Sequence, residues 1–252
     1  RDWNSDVCSS DLRMFGIQAN PIASIGALSR YNRIRTRVLS ADELGCFIKR
    51  LQAFPATPKR DLVLLCLLLG GQRPSQLVRA RLVDLDLGAR TITLLDPKGA
   101  RTQPRIHVLP VSDEAAVIFG SLAGQAIAIS PGQQTQSGLL FTSDGKRELR
   151  IETVSAFVKE IADDMLRANE LRESFELRDL RRTCETMMAA LRISSDIRAQ
   201  IQSHGLGGVQ ARHYDRHNYM EEKRDALEKW VAHLERIVAG DVGKVVPMNR
   251  YK

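Results

Sequence analysis

The sequence predicts a mainly helical domain with a small antiparallel sheet at one edge, an α+β fold. Three observations carry that expectation. Apolar residues recur at helical spacing in most of the chain from residue 41 onward, two-residue alternation is confined to one stretch between residues 83 and 110, and turn residues separate the alternating runs. The chain has 252 residues, 43% hydrophobic and 27% charged, a composition that can bury a sizeable core and excludes a disordered tail or a collagen.

Ser40 followed by Glu43 forms a capping box, and Leu44, Phe47, Ile48 and Leu51 then fall at i, i+3, i+4 and i+7, which predicts a helix over about 41–53. A second helix, Pro58 to Leu69, is apolar all round and therefore central; Gly70 and Gly71 end it. A short helix carries Ser75 to Arg81. Val83 to Leu87 alternates, Gly88 turns the chain, and Thr91 to Leu95 returns as a hairpin; Asp96-Pro97-Lys98-Gly99 is turn chemistry before a third strand, Arg105 to Pro110. Ser112 opens a helix. Residues 123–138, rich in Gly, Gln and Ser, read as an irregular connection to Leu139–Thr142. From Ile151 nearly everything is helical, and the last helix carries Leu227, Trp230, Val231, Leu234, Ile237 and Val238 on one stripe that Gly240 terminates.

Residues 13–37, with Asn20-Pro21 and Arg30, Arg33, Arg35 and Arg37, show little apolar periodicity and read as a basic linker. The opening segment, Arg1 to Leu12, resembles the conceptual translation of a short-read sequencing adapter and is set aside from fold reasoning. On this expectation the natural protein begins further upstream and carries at least one more N-terminal domain.

The net charge is +7, and Arg supplies 28 of the 37 basic residues. Arginine's planar, permanently charged fork grips phosphate oxygens in pairs, so this bias points to nucleic acid or another phosphate-bearing partner. Cys8, Cys46, Cys66 and Cys184 form no CxxC pair and have no His at zinc-finger spacing, which argues against a metal site or disulfide framework and fits a reducing cytoplasm. The longest apolar run, Leu62 to Leu69, is about half of the roughly 18 residues a membrane span requires.

The most informative segment runs Leu177-Arg178-Asp179-Leu180-Arg181-Arg182-Thr183, followed by Ser203-His204 and by Arg212-His213-Tyr214. Arg178 and Arg181 are one helical turn apart and share a face, with Arg182 rotated by about 100°, so a paired arginine surface can be aimed at one phosphate. Together with Gly71-Gln72-Arg73 after the apolar helix and Lys98 in the hairpin turn, this ordered set resembles the tyrosine recombinase family, specifically the phage-type integrases, over residues 38–240. The resemblance implies that family's catalytic-domain fold and a site-specific DNA recombinase that cleaves and rejoins strands through a covalent 3′-phosphotyrosine intermediate.

It also implies roles. Tyr214 is the nucleophile, Arg73 and Arg181 stabilise charge on the phosphate, Lys98 is the general acid for the departing 5′ oxygen, His204 donates a hydrogen bond to the same phosphate, and Arg178 completes the catalytic set. Arg33, Arg35, Arg37, Arg101, Arg182, Arg212 and His213 are expected to contact DNA. No metal or nucleotide cofactor is implied. Residues 13–37 become a linker from a truncated N-terminal DNA-binding domain, 38–240 the catalytic domain, and 241–252 a C-terminal tail. The expected partners are double-stranded attachment-site DNA, three further copies in a homotetramer, and accessory bending or directionality factors, in a bacterial, nucleoid-associated setting with no membrane.

Two positions depart from the family pattern. Arg178 stands where a His or Lys is usual and cannot accept a proton, so the Tyr214 proton leaves through His204, His213 or solvent. Gln76 stands where an acid often supports the first arginine, so Arg73 is expected to be held less firmly. Tyr219 is the rival nucleophile, Arg101 the rival hairpin cation. The rival functions are a type IB topoisomerase with the same chemistry and a DNA-binding remnant without catalysis.

Overall fold

The computed structural model describes residues 36–96, 104–129, 138–203 and 217–241. All of these but Thr36 belong to one unit, Arg37–Lys252.

The expected capping box forms: Ser40 Oγ accepts from the Glu43 amide, and Glu43 Oε2 accepts from the Ser40 amide at 2.8 Å, starting α1 (Ala41–Ala53). Helix α2 (Pro58–Leu68) begins with Pro at its first position behind a Thr57 cap and buries Leu62, Val63, Leu65 and Leu67 almost completely. Each fully buried Leu contributes roughly 1.5–3 kcal/mol, so packing rather than capping holds this helix. Helix α3 (Pro74–Leu77) is shorter than the segment to Arg81 that the sequence suggested.

The sheet is three antiparallel strands in sequence order: β1 (Leu85–Asp86), β2 (Thr91–Asp96) and β3 (Arg105–Pro110). Register runs from Thr91 opposite Pro110 to Asp96 opposite Arg105. The first strand is shorter than the alternation predicted, because Leu82–Asp84 forms a 3-10 turn in which the Asp84 carboxylate accepts from the Arg81 amide at 2.9 Å. Ile92, Leu94 and Asp96 lie on the buried face of β2.

Helix α4 (Asp113–Ile129) corrects the expectation of an irregular segment from residue 123. Ala123, Ala126, Ile127, Ala128 and Ile129 favour helix and carry it past Gly124, and the Gly- and Gln-rich composition belongs to the residues beyond. Helices α5 (Ile151–Arg167), α6 (Leu177–Ala190), α7 (Ser195–Ile201) and α8 (Met220–Ala239) complete the described chain. Helix α8 ends as expected at Gly240, whose φ is +82°, and buries Leu227, Trp230, Val231, Leu234 and Ile237.

Helix α8 lies against α1, α2, α7 and β3, and Trp230 Nε1 donates to the Leu67 carbonyl at 2.7 Å, fastening it to the end of α2. A Cβ on Gly45 of α1 would stand 3.0 Å from the Ile237 carbonyl, so glycine lets those two helices meet closely at this point. Chain entry is clamped to α6. Leu39 N–H donates to Thr183 Oγ1 at 3.0 Å, Arg182 Nη1 donates to the Arg37 carbonyl at 3.0 Å, and Arg37 grips Glu43 through two bonds of 2.8 and 3.0 Å. Burial opposes the Glu43 charge, yet bonds from Arg37 and from the amides of Ser40 and Arg172 hold its carboxyl below the usual range.

No helix among the described residues is long and apolar enough to cross a membrane.

Candidate active site

The turn after α2 is built to touch α6. Gly70 and Gly71 have φ of +74° and +85°, a region that glycine enters without steric cost, and the amides of Gly71 and Gln72 both donate to the Cys66 carbonyl. A Cβ on Gly71 would lie 2.9 Å from Cys184 Cβ and 3.2 Å from Arg181 Cα. Two glutamines lock this turn to the end of α7: Gln72 Nε2 donates to the Ile201 carbonyl at 2.6 Å, and Gln202 Nε2 donates to the Gly70 carbonyl at 3.0 Å.

Arg181 reaches across the junction. Its Nη1 donates to the Gly71 carbonyl at 2.6 Å and its Nη2 to the Gln202 carbonyl at 2.5 Å. Arg73, two residues beyond Gly71, donates from Nη1 to Asp96 Oδ2 at 3.1 Å and, at the 3.5 Å limit, toward the Ser203 carbonyl. Ser203 Oγ donates to the same Asp96 oxygen at 2.8 Å. Three distant segments, the turn after α2, the end of β2 and the end of α7, therefore meet around two guanidinium groups.

Burial and then the neighbouring Arg73 charge push Arg181 down to about 10, which leaves it charged at neutral pH. Two neighbouring cations, one of them anchored through Nη1 and Nη2 on backbone carbonyls, are an arrangement whose charge an anion could offset. Burial pushes the Cys184 thiol up to about 12 and the Cys66 thiol up as well, so both act as small core side chains. Among the described residues Cys46, Cys66 and Cys184 are free, and no group of His, Cys, Asp and Glu is placed to hold a metal ion.

The structure thus brings Arg73 and Arg181 together. Arg178 is exposed, and its Nε pairs with Glu176 Oε2 at 3.1 Å; the arginine whose charge Arg181 feels is Arg73. Arg182 is engaged with Asp179 Oδ1 at 2.6 Å and with the Arg37 carbonyl, and the Arg37 guanidinium is spent on Glu43 and the Val38 and Glu173 carbonyls. Tyr219 stands at the position before α8 with φ of +54°, and its ring stacks edge-on against His217. Tyr214, Lys98, His204, Arg33, Arg35, Arg101, Arg212 and His213 lie outside the described residues. By chain order Lys98 follows Asp96 by two positions and His204 follows Ser203 directly.

Sequence reasoning missed Asp96, Ser203, Gln72 and Gln202. The weak support expected for Arg73 is corrected: a carboxylate is present, but it comes from β2. A signal existed, since the two-residue period places an acid at 96 on the same inward face as Ile92 and Leu94, where a charge needs a partner.

Comparison with known proteins matches the family model described as the phage integrase family to residues 37–220. Among solved structures, the crystal structure of XerA recombinase superposes with a TM-score of 0.51 at 16% identity, covering 84% of this chain and 67% of that one. The integrase from mycobacterium phage Brujita gives 0.54 at 18% identity, covering 92% and 73%. The Tn1549 transposon integrase in complex with transposon right end DNA gives 0.58 at 16%, covering 88% and 75%. These likenesses carry the fold. No curated protein matches the chain. A family match across most of the described unit, on a fold shared with recombinases and integrases, means that the chain belongs to the phage integrase family of site-specific tyrosine recombinases.

Proposed function

We propose that this chain cuts and rejoins double-stranded DNA with Tyr214 as nucleophile, Arg73 and Arg181 on the scissile phosphate, Lys98 as general acid, and His204 as a further donor. The observation that carries the reading is the convergence of Arg73 and Arg181 on segments that lead directly to Lys98 and His204. In the forward step the Tyr214 oxygen forms a bond to phosphorus and the bond to the 5′ oxygen breaks. That oxygen takes a proton from Lys98, and the phenol proton leaves through His204, His213 or solvent. Rejoining reverses the step, with a 5′ hydroxyl attacking the phosphotyrosine. Arg178 contributes charge and accepts no proton.

DNA as partner is supported by the Tn1549 integrase, which is described bound to transposon right end DNA and to circular intermediate DNA. Four copies on two duplexes, assisted by accessory DNA-bending or directionality factors in a bacterial nucleoid, complete the proposal.

The test is covalent trapping on nicked duplexes of randomised sequence. A denaturant-resistant adduct formed by the parent and by Tyr219→Phe, and lost in Tyr214→Phe, is the expected result. An adduct that survives Tyr214→Phe overturns the nucleophile, and DNA binding without any adduct favours the non-catalytic reading. Synapsis of two duplexes, rather than relaxation of supercoils by a monomer, separates a recombinase from a type IB topoisomerase.

A further inference from the structure

The resemblance leads one to expect an acid three residues after Arg73, and Gln76 does not take its place: the side chain is 2% exposed and neither amide atom has a partner among the described residues. The carboxylate beside Arg73 is Asp96, itself buried at 6% exposure. One of its oxygens, Oδ2, accepts both from Arg73 Nη1 at 3.1 Å and from Ser203 Oγ at 2.8 Å. Ser203 is buried and left-handed, with φ of +52°, directly after the C-terminal end of α7. Arg73 Nε and Nη2 make no bond among the described residues.

We infer that Asp96 is a positioning residue for strand cleavage in this chain: it supplies the charge that residue 76 lacks, aims Arg73, and through Ser203 fixes the residue that precedes His204. A carboxylate on Nη1 sets the plane of the guanidinium and leaves the Nε and Nη2 edge, two parallel donors, as the fork offered to phosphate. It also offsets part of the repulsion between Arg73 and Arg181 before the anionic substrate arrives. Because Asp96 stands at the end of β2, two residues before Lys98, the same side chain ties the hairpin to the arginine site. The inference rests on the strand-cleaving reading above.

Two measurements on the full chain test it. The first is the rate of adduct formation at saturating nicked duplex of randomised sequence, for Asp96→Asn in the parent and in an Arg73→Lys background. Asp96→Asn should slow the step about 10- to 100-fold with DNA affinity nearly unchanged, the size expected for a residue that orients a reacting group. In the Arg73→Lys background it should add less than about threefold, since coupled residues are not additive. A parent-like rate, or an equal loss in both backgrounds, overturns the inference.

The second is ¹⁵N NMR of the arginine side chains, with Arg73 assigned by its loss in Arg73→Lys. This needs no cleavage, so a parent without any adduct refutes the strand-cleaving reading and leaves the geometry of Arg73 to the spectrum. Restricted guanidinium rotation in the parent that is released by Asp96→Asn supports the inference; unchanged Arg73 signals overturn it. Should Asp96→Asn fail to fold, the parent spectrum still decides, because a freely rotating Arg73 guanidinium overturns the inference.

Discussion

Arg181 donates through Nη1 to the carbonyl of Gly71 at 2.6 Å, so the helix that carries one arginine of the site also holds the turn that carries the other. Removing it has two separable effects. Arg181→Ala should lower cleavage by about 10² or more through lost charge stabilisation. It should also lower stability by about 1–3 kcal/mol, because the Gly71 and Gln202 carbonyls lose their donor. Arg181→Lys, with one ammonium for two carbonyls, should recover part of the stability and little of the rate. Urea melts and single-turnover trapping read the two effects independently; a parent-like rate in Arg181→Ala would remove it from the site.

His107 provides the pH prediction. It is buried on β3, its Nε2 lies 3.0 Å from the Gln200 carbonyl, which can only accept, and its Nδ1 has no partner among the described residues. Burial pushes it down to about 4 from 6.5. Between those values the unfolded chain binds the proton and the folded chain does not, so stability falls as pH drops from about 6.5 toward 4, by at most about 1.4 kcal/mol per pH unit. His107→Gln keeps a donor for Gln200 and cannot titrate. Urea midpoints at pH 7.5, 6 and 5 should fall more steeply in the parent, and parallel lines would refute the assignment.

Arg37 distinguishes a structural cation from a DNA contact. Its side chain and that of Glu43 are 13% and 7% exposed, and because the Ser40 and Arg172 amides still hold the carboxylate, losing the charged partner of this part-buried pair costs about 1–3 kcal/mol. Arg37→Ala is expected to lower the melting temperature while the dependence of DNA binding on salt stays the same. A salt slope reduced by about one unit would instead mean that Arg37 neutralises a phosphate.

Gln76 is a site for stabilisation. Its buried amide has no partner among the described residues, so Gln76→Leu, close in volume, should be neutral or stabilising by about 1 kcal/mol in urea unfolding. A loss of more than that would show that the amide is hydrogen-bonded.

What was legible in the sequence was local. The Ser40–Glu43 box, the all-apolar α2 and the stripe from Leu227 to Ile237 each declare themselves within a few residues, and the arginines at 73 and 181 stand in an ordered motif. What was not legible was long-range. Asp96 reads as turn chemistry until the fold brings Arg73 and Ser203 to it from 23 and 107 positions away. Arg37 reads as one more basic linker residue until Glu43 and the Glu173 carbonyl enclose it. The continuation of α4 to Ile129 was hidden by composition averaged over a window that straddled its end.

The contact between Gly45 and Ile237 has a mechanical meaning. At that point glycine lets both the carbonyl and the side chain of Ile237 approach the α1 backbone closely, and a methyl group at position 45 would press on both. A side chain at position 45 would therefore have to push α1 and α8 apart by a few tenths of an ångström. The final turn of α8, which ends at Gly240, is thereby held close to the first helix of the domain.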